Sequence, residues 1–130
     1  MRRPVIAGNW KLFKTEAQTR EFFSRLVPSI ESVDHCDVVV APPFTSLAAA
    51  VDVTRGSNVA ISAQDVYWEA EGAFTGEISA PMLAELGCGY SIIGHSERRQ
   101  YFGETDETVS RKIGAVLEAG LKAIVCVGES

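Results

Sequence analysis

The sequence is poor in the residues that staple a chain or hold a metal. Its three cysteines, Cys36, Cys88 and Cys126, are odd in number and scattered, with no CxxC pair and no neighbouring pair of histidines. They make neither a disulfide framework nor a zinc site, as expected of a chain kept in a reducing cytosol. Basic charge is also short: twelve Lys and Arg against seventeen Asp and Glu leave a formal net charge of -5. That balance argues against nucleic acid or an anionic membrane surface as a partner. No apolar run approaches the roughly 20 residues needed to span a bilayer. The stretch after Arg2-Arg3-Pro4 is too short for a secretory signal. GxSxG, P-loop and HExxH motifs are absent. Gly87-Cys88-Gly89 lacks the third glycine of a dinucleotide fingerprint and precedes a strand-like run instead of following one.

What is present is a rhythm. With 46% hydrophobic and 22% charged residues over 130 positions, the composition suits one globular domain. Short apolar runs recur at Val5–Ala7, Val38–Ala41, Val59–Ile61, Ser91–Ile93 and Ala123–Val127. None shows polar alternation, the pattern of strands buried on both faces in a parallel sheet. Helical signals lie between them. Thr15-Glu16-Ala17-Gln18 is a capping box, followed by Phe22, Phe23, Leu26, Val27 and Ile30 on one face. A weaker helix fits Ser46 to Val53, and Ser79-Ala80-Pro81 opens a short one that closes at Gly87. A last helix carries Val109, Ile113, Val116 and Leu117 on its apolar face, with Asp106 and Glu107 in its first turn and Gly120 as its stop.

Strands alternating with helices imply parallel strands joined by right-handed crossovers. A doubly wound sheet and a (β/α) barrel both satisfy that. The chain stops at Val127-Gly128-Glu129-Ser130, at the edge of its fifth strand, so the pattern reads as one unfinished domain. The segment from Gln64 to Ile78, with two glycines and the aromatics Tyr67, Trp68 and Phe74, is long for a connection in a compact domain. Such connections are usually functional or interactive; here the composition suggests ordering by a partner.

Chemistry-bearing residues cluster after the strands, where parallel α/β folds place their sites. Asn9 and Lys11 follow the first strand; the lysine offers positive charge to an anionic substrate and the asparagine an amide donor. An ordinary surface lysine fits the tetrapeptide Gly8–Lys11 as well. His95 follows the fourth strand where a helix begins, and the positive end of a helix disfavours imidazolium. The expected ring is neutral and able to donate a hydrogen bond to a substrate oxygen. His35, in a turn, reads as structural. The run Glu97-Arg98-Arg99 reads as a solvated helix face, with Glu97 able to hold Lys11. Cys126 reads as a small buried hydrophobe.

Together these segments closely resemble the triosephosphate isomerase family. The resemblance rests on Ala7-Gly8-Asn9-Trp10-Lys11, Ala41-Pro42-Pro43-Phe44, Ala63-Gln64-Asp65, Gly72-Ala73-Phe74-Thr75-Gly76-Glu77, Ile93-Gly94-His95-Ser96-Glu97-Arg98-Arg99 and Cys126-Val127-Gly128-Glu129. They cover nearly the whole chain in the family's order. The resemblance implies a TIM-type parallel (β/α) barrel, here about its first five strands. It also implies cofactor-free and metal-free interconversion of dihydroxyacetone phosphate and D-glyceraldehyde 3-phosphate, a cytoplasmic step of glycolysis and gluconeogenesis. His95 would polarise the carbonyl and shuttle protons, Lys11 attract the phosphate and Asn9 orient substrate oxygens. Glu97 and Ser96 would support them. Thr75 would sit at the tip of a loop docking into a second subunit of a homodimer.

One part of the family pattern has no match: the glutamate base in a motif like YEPVWAIGTG, with the lid and phosphate cradle beyond it. A barrel of this type takes about 250 residues. Residues 1–130 are therefore expected to form the N-terminal portion of one barrel domain and to be inactive alone. The alternatives are a non-enzymatic half-barrel that assembles or binds without turnover, and another phosphosugar barrel enzyme. Coding sequence beyond Ser130 discriminates between them.

Overall fold

Every apolar run becomes a strand. The computed structural model describes residues 2–128; Glu129 and Ser130, which belong to the terminal motif read above, lie outside the described residues. β1 (Val5–Asn9), β2 (Asp37–Ala41), β3 (Val59–Ala63), β4 (Tyr90–Ile93) and β5 (Lys122–Val125) form one sheet in the order β1-β2-β3-β4-β5. Each consecutive pair is parallel, with Asn9 opposite Ala41, Ala63 opposite Ser91 and Ile93 opposite Val125. A doubly wound sheet reverses its strand order at a switch point. This sheet has no reversal and curls into half of a barrel.

The helices are α1 (Glu16–Ser29), α2 (Leu47–Thr54, entered through a 3-10 turn at Phe44–Ser46), α3 (Ala80–Leu86), α4 (Ser96–Tyr101) and α5 (Asp106–Glu118). The Thr15 capping box forms: Gln18 N–H donates to Thr15 Oγ1, and Thr15 N–H donates to Gln18 Oε1. A second box, Thr105 with Thr108, starts α5. Gly87 ends α3 at φ +110°, where an added Cβ would meet Val51 Cγ1 at 2.8 Å. The left-handed backbone and the tight contact both call for glycine there.

The core lies between sheet and helices, with Phe23, Leu47, Leu83, Ile93 and Val116 almost fully buried. Burying a side chain such as Phe23 contributes about 1.5–3 kcal/mol. On α5 the apolar face differs from the expected one. Leu117 is 60% exposed, whereas Lys112, three residues after Val109 and four before Val116, is only 4% exposed. Those spacings put residue 112 on the core side of the helix and turn 117 away. The segment 64–78 also differs from expectation, because it packs on itself. Tyr67 stacks on Trp68 at 4.1 Å between centroids and meets Phe74 at 4.7 Å, while its N–H donates to the Ile78 carbonyl. Residues 69–77 of it are exposed.

Candidate active site

The loops after β1, β3 and β4 converge at one end of the sheet. They border a hollow of about 460 Å³ whose lining includes Asn9, Lys11, Gln64, His95 and Glu97. Trp10 anchors the first of these loops, stacking on Phe23 of α1 at 5.5 Å and meeting Phe22 edge-on at 4.9 Å. That packing projects Lys11 away from the core.

Lys11 adopts φ +55°, a left-handed conformation that costs a non-glycine residue roughly 1–3 kcal/mol unless its surroundings hold it. Two contacts do. Its N–H donates to Asn9 Oδ1 at 2.9 Å, and its carbonyl accepts from Gln64 Nε2 at 2.9 Å. The same amide of Gln64 donates to the Ala41 carbonyl at 2.9 Å, tying the ends of three strands together. Because Asn9 Oδ1 is engaged, its amide NH2 is the end left to offer a ligand. Lys11 Nζ lies 3.1 Å from Glu97 Oε2, with both side chains about half exposed. A pair so hydrated adds little stability; its effect is to aim the ammonium.

His95 is the N-cap of α4. Its Nδ1 accepts the Glu97 N–H at 3.0 Å, which requires an unprotonated Nδ1. Glu97 Oε1 also lies near Nδ1, at 3.5 Å, a geometry that imidazolium would favour. The shorter, aligned backbone bond decides against that, since a protonated Nδ1 cannot accept it. The neutral ring then carries its proton on Nε2. Ser96, the first residue of α4, lines a second hollow of about 530 Å³ with His95, Arg99 and Cys126. Burial pushes the Cys126 thiol up, partly opposed by Arg99; Cys88, more deeply buried, is pushed up to about 11. Thr75 is exposed on the tip of the 64–78 segment, outside both hollows.

Glu97-Arg98-Arg99 is not a solvated face: all three are partly buried. Arg98 points into a charge cluster that has no counterpart in the expectations from sequence. Lys112 Nζ donates to Asp65 Oδ1 and Glu104 Oε2, each at 2.8 Å. Arg98 Nε lies 3.1 Å from Asp65 Oδ2 but is off line, so it makes no aligned hydrogen bond among the described residues. Thr108 Oγ1 donates to the other oxygen of Glu104. Burial alone pushes the Glu104 carboxyl up, but the hydrogen bonds from Lys112 and Thr108 and the charge of Arg98 outweigh it and hold it below the usual range. A lysine at a core position of α5 was the available signal, since a buried ammonium requires carboxylate partners. Gln64 had no comparable signal, because its role depends on three strand ends meeting.

Among the described residues, no group of three His, Cys, Asp or Glu side chains is placed to hold a metal ion. Among the described residues, no helix is long and apolar enough to cross a membrane.

The family model for triosephosphate isomerase matches residues 4–130. A triosephosphate isomerase from Solibacter usitatus is 59% identical over 99% of this chain, and one from Moorella thermoacetica is 55% identical over all of it. Each match covers 52% of the relative, so the chain spans about half the length of the relatives it matches. The crystal structure of triosephosphate isomerase from Bartonella henselae superposes with a TM-score of 0.93 at 38% identity, covering 99% of this chain and 53% of that one. The barrel topology, the order of the motifs and these matches agree: the chain belongs to the triosephosphate isomerase family.

Proposed function

We propose that this chain supplies the electrophile and the phosphate-attracting lysine of a triosephosphate isomerase, acting on dihydroxyacetone phosphate and D-glyceraldehyde 3-phosphate in the cytoplasm. The observation that carries this reading is the His95 geometry, with Nδ1 accepting the Glu97 N–H and the ring lining a hollow that Lys11 and Asn9 also line. A carboxylate removes a proton from the carbon next to the substrate carbonyl, and negative charge develops on the carbonyl oxygen. His95 Nε2–H donates to that oxygen and, by passing its proton between the two oxygens of the enediol(ate), lets the double bond move. Lys11 offsets the phosphate and developing charge, and the Asn9 amide orients substrate oxygens. Glu97 holds Lys11, and Ser96 supports the turn carrying His95. No cofactor or metal enters this scheme.

The base is not among the described residues. Glu97 is committed to Lys11, while Asp65 and Glu104 are committed to Lys112 and Arg98. The reading therefore places residues 1–130 as the N-terminal portion of one barrel and requires a second half for turnover. β1 and β5 are the sheet edges, with Val5, Ile6 and Val127 exposed, a surface that barrel closure covers. In the closed protein, the exposed Thr75 tip is assigned to docking with a second subunit.

The test uses the purified chain in a coupled isomerase assay, alone and with the remaining half of the Solibacter usitatus relative expressed separately. The chain alone should show no turnover above a His95→Asn control, and the pair should show it. Turnover by the chain alone, or none from a pair shown by sedimentation to be assembled, overturns the reading. In the active pair, Lys11→Met should weaken phosphoglycolate binding by roughly 10- to 100-fold, the worth of a desolvated charge-assisted contact. Unchanged affinity, measured by calorimetry, leaves Lys11 as a surface charge.

A further inference from the structure

The turn that presents His95 needs a clamp, because Gly94 turns the chain at φ +74° and an added Cβ there would meet Val109 Cγ2 at 2.9 Å. The carbonyls on either side of this turn have different partners. Ile93 O accepts from Cys126 N–H at 2.9 Å in the sheet, and His95 O accepts from the backbone N–H of Arg98 and of Arg99 at 2.9 and 3.1 Å inside α4. Gly94 O lies between those two systems and accepts from Arg99 Nε at 3.1 Å. The far end of the same guanidinium pairs with Asp106 Oδ1 at 2.8 Å, in the first turn of α5. Arg99 thus reaches back five residues to the peptide before His95 and is fixed from behind by the next helix.

We propose that Arg99 is a positioning residue for His95: by holding the Gly94 carbonyl it fixes the turn in which His95 Nδ1 accepts the Glu97 N–H. The proposal rests on the isomerase reading for its catalytic consequence, though not for its geometry. Asp106 is 96% exposed, so its ion pair with Arg99 is screened by water and contributes orientation more than energy. The donor that matters is Nε–H. Lysine places a methylene where arginine has Nε, so Arg99→Lys keeps length and charge while deleting that donor.

The measurement is imidazole 15N NMR of the full 130-residue chain carrying His35→Gln, which leaves His95 as its only histidine. In the parent, the coupling across the hydrogen bond from Glu97 N to His95 Nδ1 should be resolved. Arg99→Lys and Arg99→Met should both lose it and broaden the Nδ1 signal, while Asp106→Asn should keep it. In the assembled isomerase, Arg99→Lys should lower kcat by roughly tenfold or more with KM within twofold, since misplacing a reacting group acts on the transition state. If Arg99→Met fails to fold, the lysine variant carries the test alone. Retention of the coupling in Arg99→Lys overturns the clamp. Absence of turnover in an assembled pair that retains the coupling instead defeats the isomerase reading and leaves the clamp standing.

Discussion

Replacing Lys112 with methionine should lower the stability of the chain by about 3–5 kcal/mol, the usual consequence of removing one partner from a buried ion pair. The side chain is 5% exposed and is bonded to two carboxylates that are themselves 11% and 3% exposed. Methionine fills nearly the same volume, so the loss reports charge and not a cavity. Arg98 remains, but one off-line guanidinium against two buried carboxylates leaves negative charge uncompensated. Thermal unfolding followed by circular dichroism should move down by roughly 10 °C or more, at the few degrees per kcal/mol expected for this size. Adding Glu104→Gln should recover part of the loss, because it removes one of the stranded charges. Strict additivity of the two variants would show that the groups are not coupled.

The pH dependence has a definite sign. Glu104 is held below its ordinary range in the folded chain, so its stabilisation is complete above the unfolded carboxylate pKa. It is lost as pH falls through the lowered folded value. In the Lys112 variant the hydrogen bond and charge that oppose burial most strongly are gone, and Glu104 should bind a proton more readily than it does in the parent. The difference in stability between parent and variant should therefore shrink on acidification through the carboxylate range. A difference that holds constant from neutral pH to about pH 4 would remove the charge cluster as its cause.

Much of the fold is local and therefore legible. The Thr15 box, the Gly87 and Gly120 stops and the β-branched runs each specify an element through three to five consecutive residues. The order of those elements is what a parallel sheet requires. Periodicity alone did not separate barrel from open sheet, because both satisfy the same run of strands and helices and differ only in which strands become neighbours. The site divides the same way. That Asn9, Lys11 and His95 border one hollow is legible, because each sits at or just after the end of an apolar run that becomes a strand. Gln64, Asp65, Glu104 and Arg99 act through partners 53, 47, 8 and 5 residues away, and even the short separations are loop geometry without helical spacing. The self-packed base of the 64–78 segment was missed for a related reason. Tyr67, Trp68 and Phe74 meet one another only because the loop folds back at Ile78, which no run of neighbouring residues signals.

Changing His95 to asparagine should separate capping from catalysis. Asparagine is a strong N-cap residue, and its Oδ1 occupies nearly the position of Nδ1, so it can still accept the Glu97 N–H that His95 accepts at 3.0 Å. The start of α4, the Gly94 turn and the thermal midpoint should change little. The amide ends where the ring continues, however, so nothing replaces the Nε2 donor in the hollow shared with Lys11 and Asn9. An amide also cannot give up its proton and take another in the way a neutral imidazole can. Loss of a positioned proton-transfer group removes on the order of 10²-fold or more from kcat. The assembled isomerase carrying His95→Asn should show that loss in kcat, with KM changed far less because Lys11 still attracts the phosphate. Near-normal turnover would take His95 out of the mechanism; a large fall in the thermal midpoint would mean that the ring is needed for more than its Nδ1 acceptor.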